Sequence, residues 1–313
     1  MKMKLYSTKE ENIMIKTTGN VKEANAITHS GVFHADEIFA TVILEDIFDN
    51  ITVARIPTIK DLDGIDTTNA IVYDIGCGPL DHHQKEGNGT RDNGVPYASC
   101  GLVWKNYAWL KYGRSTIDHV DKNLIQCIDA HDNGINCKPD TGFNVLTVSN
   151  IISMMNPTWD IEDTGENFVQ ACYIAKTIYK AAIKRAVSFE KAEKAVKEAI
   201  DSSEGGVMVL DKFMPWQNTL LYDFGEKSQN IKFVVFPSNR GGYNCQCVPK
   251  GPGIFENKVP LPEEWRGLTN EELVKSCRVD GAIFCHPAGF LCSNETLEGA
   301  VAMAKAAIRE YNY

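Results

Sequence analysis

From Asn25 onward the chain alternates short apolar runs with longer stretches whose apolar residues recur every three or four positions. Asn25 to His29 and Ile51 to Ile56 predict strands. Between them Ile38, Phe39, Val42, Ile43 and Ile47 fall at helical spacing over 36–48. Ala70 to Ile75 is a continuous apolar run broken by Asp74 and followed by Gly-Cys-Gly-Pro, as expected of a strand buried in a parallel sheet. Helices are predicted over 98–112 and 116–130, and a long one over 164–202. Farther on, Val207 to Leu210, Phe233 to Phe236, Tyr243 to Val248 and Ala282 to Cys285 predict strands. Asn294 reads as the cap of a last helix carrying Leu297, Val301, Ala304 and Ile308 on one face.

Such alternation predicts an α/β fold of two domains. The N-terminal one is a mostly parallel sheet with helices on both faces, and the C-terminal one a smaller α/β substrate domain. The expected division is a polar appendage over 1–23, a metal-binding catalytic domain over 24–163, a helical connector over 164–204 and the substrate domain over 205–313. Asp201-Ser-Ser-Glu-Gly-Gly punctuates the chain near the boundary, which the pattern places between about 190 and 205.

Length supports this division, since 313 residues exceed the usual size of one hydrophobic core. A net charge of −9 argues against general duplex-DNA binding, which calls for a basic stripe. It leaves room for a short single strand or a nucleotide held near cations, which reverse the local field. Ten cysteines lie scattered with no C-x-x-C pair, so free thiols in a reducing cytoplasm are expected. A mitochondrial or nuclear location stays open, although Glu10 and Glu11 among Lys2, Lys4 and Lys9 weigh against a mitochondrial leader. No apolar run approaches a membrane span, so no membrane partner is expected. A homo-oligomer stays open.

The chemistry lies in histidine and aspartate. Four of seven histidines sit in two clusters, each at a predicted strand end. The first, T-H-S-G-V-F-H-A-D-E, holds His29, His34 and Asp36. The second, V-Y-D-I-G-C-G-P-L-D-H-H-Q, holds Asp74, Asp81, His82 and His83. D-A-H-D-N-G adds Asp129, His131 and Asp132, of which Asp132 is the choice for a metal ligand while the other two compete for the role. Imidazole with carboxylate suits one or two divalent metals, and paired metals are a common means of cutting phosphate esters. In open parallel sheets, ligands sit beyond the carboxyl ends of the strands, where both clusters fall.

Each residue also has a plainer reading. Asp74 could stabilise the turn before Gly76 and Gly78, but an aspartate ending an apolar strand is costly without a partner. Asp36 could cap a helix. Asp132, before Asn133-Gly134, could be a turn residue. Of the adjacent pair His82 and His83, one can ligate metal while the other reaches substrate, with Asp81 accepting a ring N–H. In the second half, Arg240-Gly241-Gly242 offers a guanidinium and pliable backbone suited to phosphate. His286, with Gly289 beyond it in H-P-A-G-F, could add a substrate contact. Arg240 could equally be a solvated loop residue and His286 a core histidine. Cys245 and Cys247 could bind zinc with Cys285 or Cys292, but buried thiols fit their spacing better.

At these residues the chain resembles the DHH phosphoesterase superfamily, named for the tripeptide present as Asp81-His82-His83. T-H-S-G-V-F-H-A-D-E, D-H-H-Q, D-A-H-D-N-G-I, R-G-G-Y, W-R-G-L and H-P-A-G-F narrow the likeness to the melanocyte-proliferating-gene family, tied to RNA exonuclease activity. It runs from about residue 25 to the C-terminus. The resemblance implies a two-domain α/β enzyme using two metals, usually Mn2+, with Mg2+, Zn2+ or Fe2+ as alternatives, and a cleft between the domains. It implies His29, His34, Asp36, Asp74, His82 and Asp132 as ligands, with Asp74 bridging and His83 facing substrate. The superfamily's first motif carries aspartates four and six residues after the histidine. Here His34 and Asp36 stand at five and seven, with His34 replacing an aspartate, a departure from that motif.

The expected function is a metal-dependent phosphodiesterase, a 3′-5′ exonuclease on short RNA or single-stranded DNA. His83, Asp74 and Arg240 would be catalytic, and His83, Arg240, Gly241, Gly242, His286 and Gly289 would touch substrate. The rivals are a pyrophosphatase or dinucleotide phosphohydrolase, and a non-catalytic module that binds nucleotide or metal.

Overall fold

The computed structural model describes residues 15–135, 142–162 and 165–311. The first 14 residues of the expected appendage, the leader argument included, lie outside them. The chain forms two compact units, Met1–Val187 and Ser188–Tyr313.

The first unit is built on four parallel strands: β1 (Lys16–Thr18), β2 (Ala26–His29), β3 (Thr52–Ile56) and β4 (Ile71–Val72), in the order β1-β3-β2-β4. Residues 16–18 of the expected appendage are therefore an edge strand, paired with Thr52, Val53 and Ala54 of β3. Between β2 and β3 runs α1 (Ala35–Phe48). Every residue from Ala35 to Glu45 is buried. A helix apolar nearly all round belongs at the centre of a core. Around it pack α2 (Ser99–Tyr107), α4 (Gln126–Asp132) and α5 (Val148–Ser153). A further helix, α3 (Arg114–Val120), runs into α4 through a π-helical turn, Asp121–Ile125. The core joins Phe33, Phe39, Ile43, Val53, Trp104 and Phe168. Phe168 belongs to α6 (Glu166–Asp201), within which the division between the units falls.

Helices on both faces of this sheet were expected; among the described residues they cover one. The other face, Ile27, Ala54 and Ile56, is sealed by Val21, Ala24, Leu62, Ala70, Val72 and Ile75. These come from strand β4, loops and short 3-10 turns. Three buried side chains make too small an apolar face to require a helix. The strand expected over 70–75 shortens to two residues. Tyr73 still donates its N–H to Ile27, but Asp74 takes a left-handed backbone (φ 56°) that lifts the chain out of the sheet. Aspartate tolerates that conformation better than a branched residue.

The second unit carries a five-stranded mixed sheet ordered β5-β6-β7-β9-β8. Its strands are β5 (Val207–Val209), β6 (Phe233–Pro237), β7 (Tyr243–Cys247), β8 (Ala282–Cys285) and β9 (Leu291–Asn294). Only β5 and β6 pair in parallel. Short helices α7 (Gln217–Leu221) and α8 (Glu226–Asn230) precede β6, α9 (Asn270–Cys277) precedes β8, and α10 (Leu297–Tyr311) ends the unit. The cap expected at Asn294 is corrected. Asn294 is the last residue of β9, and Thr296 accepts the Gly299 N–H at the start of α10.

Candidate metal centre

Strands β2 and β4 are neighbours, and the chain leaves their carboxyl ends at His29 and Asp74. Asp74 is 2% exposed, and its two oxygens face different partners. Oδ2 lies 3.2 Å from Nε2 of His29. Oδ1 accepts the Ser99 hydroxyl at 2.9 Å and lies 3.5 and 3.6 Å from Nδ1 of His82 and His83. Asp74 thus stands between two histidine groups.

Asp36, in the first turn of α1, is fully buried, and neither carboxylate oxygen has a hydrogen-bond donor. Burial raises its pKa well above the usual carboxylate range, and the charges of Asp74, Glu37 and Asp132 raise it further. A buried carboxylate facing three others is costly unless a proton or cation joins them. Ligand atoms of Asp36, Glu37 and Asp74 lie within 4.8 Å of one another, as do those of His34, Asp36 and Asp132.

His82 closes the cluster. Its Nε2 meets Oδ2 of Asp132, the last residue of α4, at 2.7 Å, and its Nδ1 lies 3.9 Å from Asp36. Burial disfavours the charged ring, but Asp132, Asp74 and Asp81 outweigh it and raise the His82 pKa. The neighbouring His83 is more than half exposed, and its Nδ1 lies 2.7 Å from Asp81. Asp81 also accepts the N–H groups of Cys77 and His83, so it orients the loop as well as the ring. At the other end His29 pairs with Asp74 and Glu37. Burial opposes its charge, but those carboxylates push its pKa up to about 11.

The structure therefore gathers His29, His34, Asp36, Asp74, His82, His83 and Asp132 into overlapping groups within the first unit. It also separates Asp129, one of the two competitors, from Asp132. Asp129 turns away to Arg91 and to the Gly101 N–H. Two residues were missed. Glu37 is fully buried, sits 3.1 Å from His29 and accepts the His34 N–H at 2.9 Å. Its spacing from His34 reads locally as a helix cap, and its reach back to His29, at the end of the strand just before α1, leaves no mark in the sequence. Ser99, bonded to Asp74, sits among small residues at the start of α2 and carries no signal at all.

The expected substrate residues of the second unit occupy two turns. Arg240, Gly241 and Gly242 close the β6–β7 hairpin. His286 and Gly289 lie in the β8–β9 hairpin. The pairing of Tyr243 with Asn294 and of Gln246 with Leu291 puts these turns at opposite ends of the sheet. Arg240 is exposed. Gly242 has a structural reason for being glycine, since a Cβ there would lie 2.3 Å from the Asn294 carbonyl. At Gly289 a Cβ would lie 2.5 Å from Nε of Arg266. His286 accepts the Ala288 N–H and packs its ring at a tilt against Phe290, holding its own turn. Cys245, Cys247, Cys285 and Cys292 are buried free thiols, and among the described residues no cysteine joins a metal-ligand group.

Residues 25–308 match the family model described as "Uncharacterised protein family (UPF0160)". The chain is 29% identical to MYG1 protein C694.04c of Schizosaccharomyces pombe over 90% of this chain and 96% of the relative. It is 30% identical to MYG1 protein YER156C of Saccharomyces cerevisiae, over 90% and 94%. It is also 30% identical to the MYG1 exonuclease of Rattus norvegicus, over 90% and 84%. No solved structure matches the chain.

Proposed function

For a chain that belongs to the MYG1 family (UPF0160), we propose a metal-dependent phosphodiesterase that removes nucleotides from the end of short RNA or single-stranded DNA. The observation that carries this reading is the buried, donorless Asp36 carboxylate beside Asp74, Glu37 and Asp132. A mixed imidazole and carboxylate set of this kind fits Mn2+ or a similar divalent ion. The name of the rat relative, an exonuclease, supports the choice of phosphodiester substrate.

In this proposal His29, Asp36 and Asp74 would hold one cation, with His34 or Glu37 completing the set. Asp74, His82 and Asp132 would hold the other. The divided contacts of Asp74 suit it to bridge them. When bound, such a pair supplies charge neutralisation at phosphorus and an acidified water. The protein's own groups do the rest. Asp81 fixes the ring of His83 through Nδ1, which leaves Nε2 for a phosphoryl or leaving-group oxygen. Exposed Arg240 is proposed as a phosphate contact on the second unit's own surface, with Gly241 and Gly242 in the same turn; His286 and Gly289, at the opposite end of that sheet, would form a separate substrate contact. Assignment to the DHH superfamily belongs to the same proposal.

The test uses the full chain, stripped with chelator and resupplied with Mn2+. It is incubated with end-labelled RNA, single-stranded DNA, a dinucleotide and pyrophosphate. Laddering from one end supports the nuclease. Cleavage of the small substrates alone favours the phosphohydrolase reading, and tight binding without product favours a non-catalytic module. Asp74→Asn is expected to lower turnover by roughly 10²-fold or more, on the scale of losing one preorganised charged group. Undiminished turnover by the stripped protein would contradict the proposal.

A further inference from the structure

The loop that follows the histidine pair carries Arg91, which lies outside the metal cluster yet is buried. Its Nε donates to Asp121 at 2.9 Å and its Nη2 to the other Asp121 oxygen at 2.6 Å. The same Nη2 lies 2.8 Å from Oδ2 of Asp129. Its Nη1 donates to the Pro96 carbonyl at 3.5 Å, and the guanidinium lies 4.2 Å over the Tyr97 ring. With these nitrogens committed, Arg91 holds protein groups rather than a substrate phosphate.

Asp129 is fully buried on α4, and its other oxygen accepts the Gly101 N–H of α2 at 2.9 Å. The approach is so close that a Cβ on Gly101 would sit 1.8 Å from Oδ2 of Asp129 and 2.9 Å from Nη2 of Arg91. This contact needs glycine at that helical position. One turn along α4 from Asp129 stands Asp132, 2.7 Å from Nε2 of His82. Two residues before Gly101 stands Ser99, bonded to Asp74 and 3.4 Å from Nδ1 of His82.

We infer that Arg91 and Asp129 are positioning residues for the metal centre: they clamp the start of α2 to α4 and so set Ser99 and Asp132 on either side of the His82 ring. The inference rests on the reading of the cluster as a metal site. Groups that orient metal ligands typically govern affinity by 10–100-fold without touching the ion. An Arg–Asp pair that served packing alone would change stability and leave metal affinity as it was.

The experiment titrates full-length wild type, Asp129→Asn and Arg91→Lys with Mn2+ by calorimetry. Thermal unfolding in chelator shows which variants are folded at the titration temperature. Asp129→Asn keeps the shape and loses the charge, whereas Arg91→Lys keeps the charge and loses the fork, so it serves where the first variant fails to fold. The expected result is Mn2+ binding 10–100-fold weaker in a folded variant, with faster amide exchange at Gly101 and a lower kcat at little-changed KM. Affinity within twofold of wild type in a folded variant overturns the inference alone. Wild type that takes up no Mn2+ overturns the proposed function, and the inference with it.

Discussion

At the scale of single residues, the centre is defined by buried carboxylates lacking enough positive charge. His29 provides part of it as an imidazolium held by Asp74 and Glu37. Because its pKa rises from 6.5 to about 11, its proton stabilises the metal-free fold in full below 6.5, and that contribution is lost as pH climbs toward 11. A divalent cation competes for the same carboxylates and must displace this proton. Mn2+ affinity should therefore rise with pH through the neutral range while the thermal midpoint of the chelated protein falls. Calorimetry in buffers of different ionisation enthalpy should show protons released on binding; none released would refute the account of His29. Glu37→Gln should weaken Mn2+ binding by roughly 10–100-fold while the fold persists, and unchanged binding would make Glu37 a helix cap only. The histidines and Asp74 were visible in sequence because they interrupt apolar runs or stand beside glycine turns. Glu37 was hidden because its local role as a cap explains it completely, and its contact with His29 arises only when α1 is laid against β2.

At the scale of elements, periodicity located the strands and helices that have one strongly apolar character. The pattern placed α1 correctly at 36–48 because almost every position is buried. It divided 116–130 poorly, since α3, a π turn and α4 follow without punctuation. It missed β9, whose Leu-Cys-Ser-Asn is too polar to read as a strand and is held by pairing with β7 and β8. The apolar run to Ile75 overstated β4 because the backbone at Asp74 ends the pairing. The close approach of α2 to α4 is an element-scale feature that a substitution can probe. Gly101→Ala should cost about 1–3 kcal/mol, the usual penalty for overpacking a tight interior. Denaturant unfolding would show it, and a variant as stable as wild type would mean that the Asp129 contact is looser than described.

At the scale of the whole chain, each unit carries its own apolar clusters, those of the first around α1 and on the sheet's other face at Ile27, those of the second around Trp265 and around Trp216. Among the described residues, all the clustered metal-ligand candidates belong to the first unit. Trp265→Ala, which empties a fully buried site, should cost about 3–5 kcal/mol. Mn2+ affinity should stay within about twofold of wild type at temperatures where both are folded, because removal of an indole from the second core touches no ligand atom. Loss of binding in parallel with stability would show the site to depend on both units. The α/β class and the long helix across the division were legible from periodicity and length. How the unit carrying Arg240 would contribute was not, because a hairpin arginine before two glycines looks alike whether it meets phosphate or water.

The most direct measurement is anomalous scattering at the manganese edge from crystals of the full chain grown with Mn2+. The account predicts two peaks sharing Asp74, one on the side of His29 and one on the side of His82. Crystals with no peak at Asp74, or with manganese bound elsewhere, would contradict it.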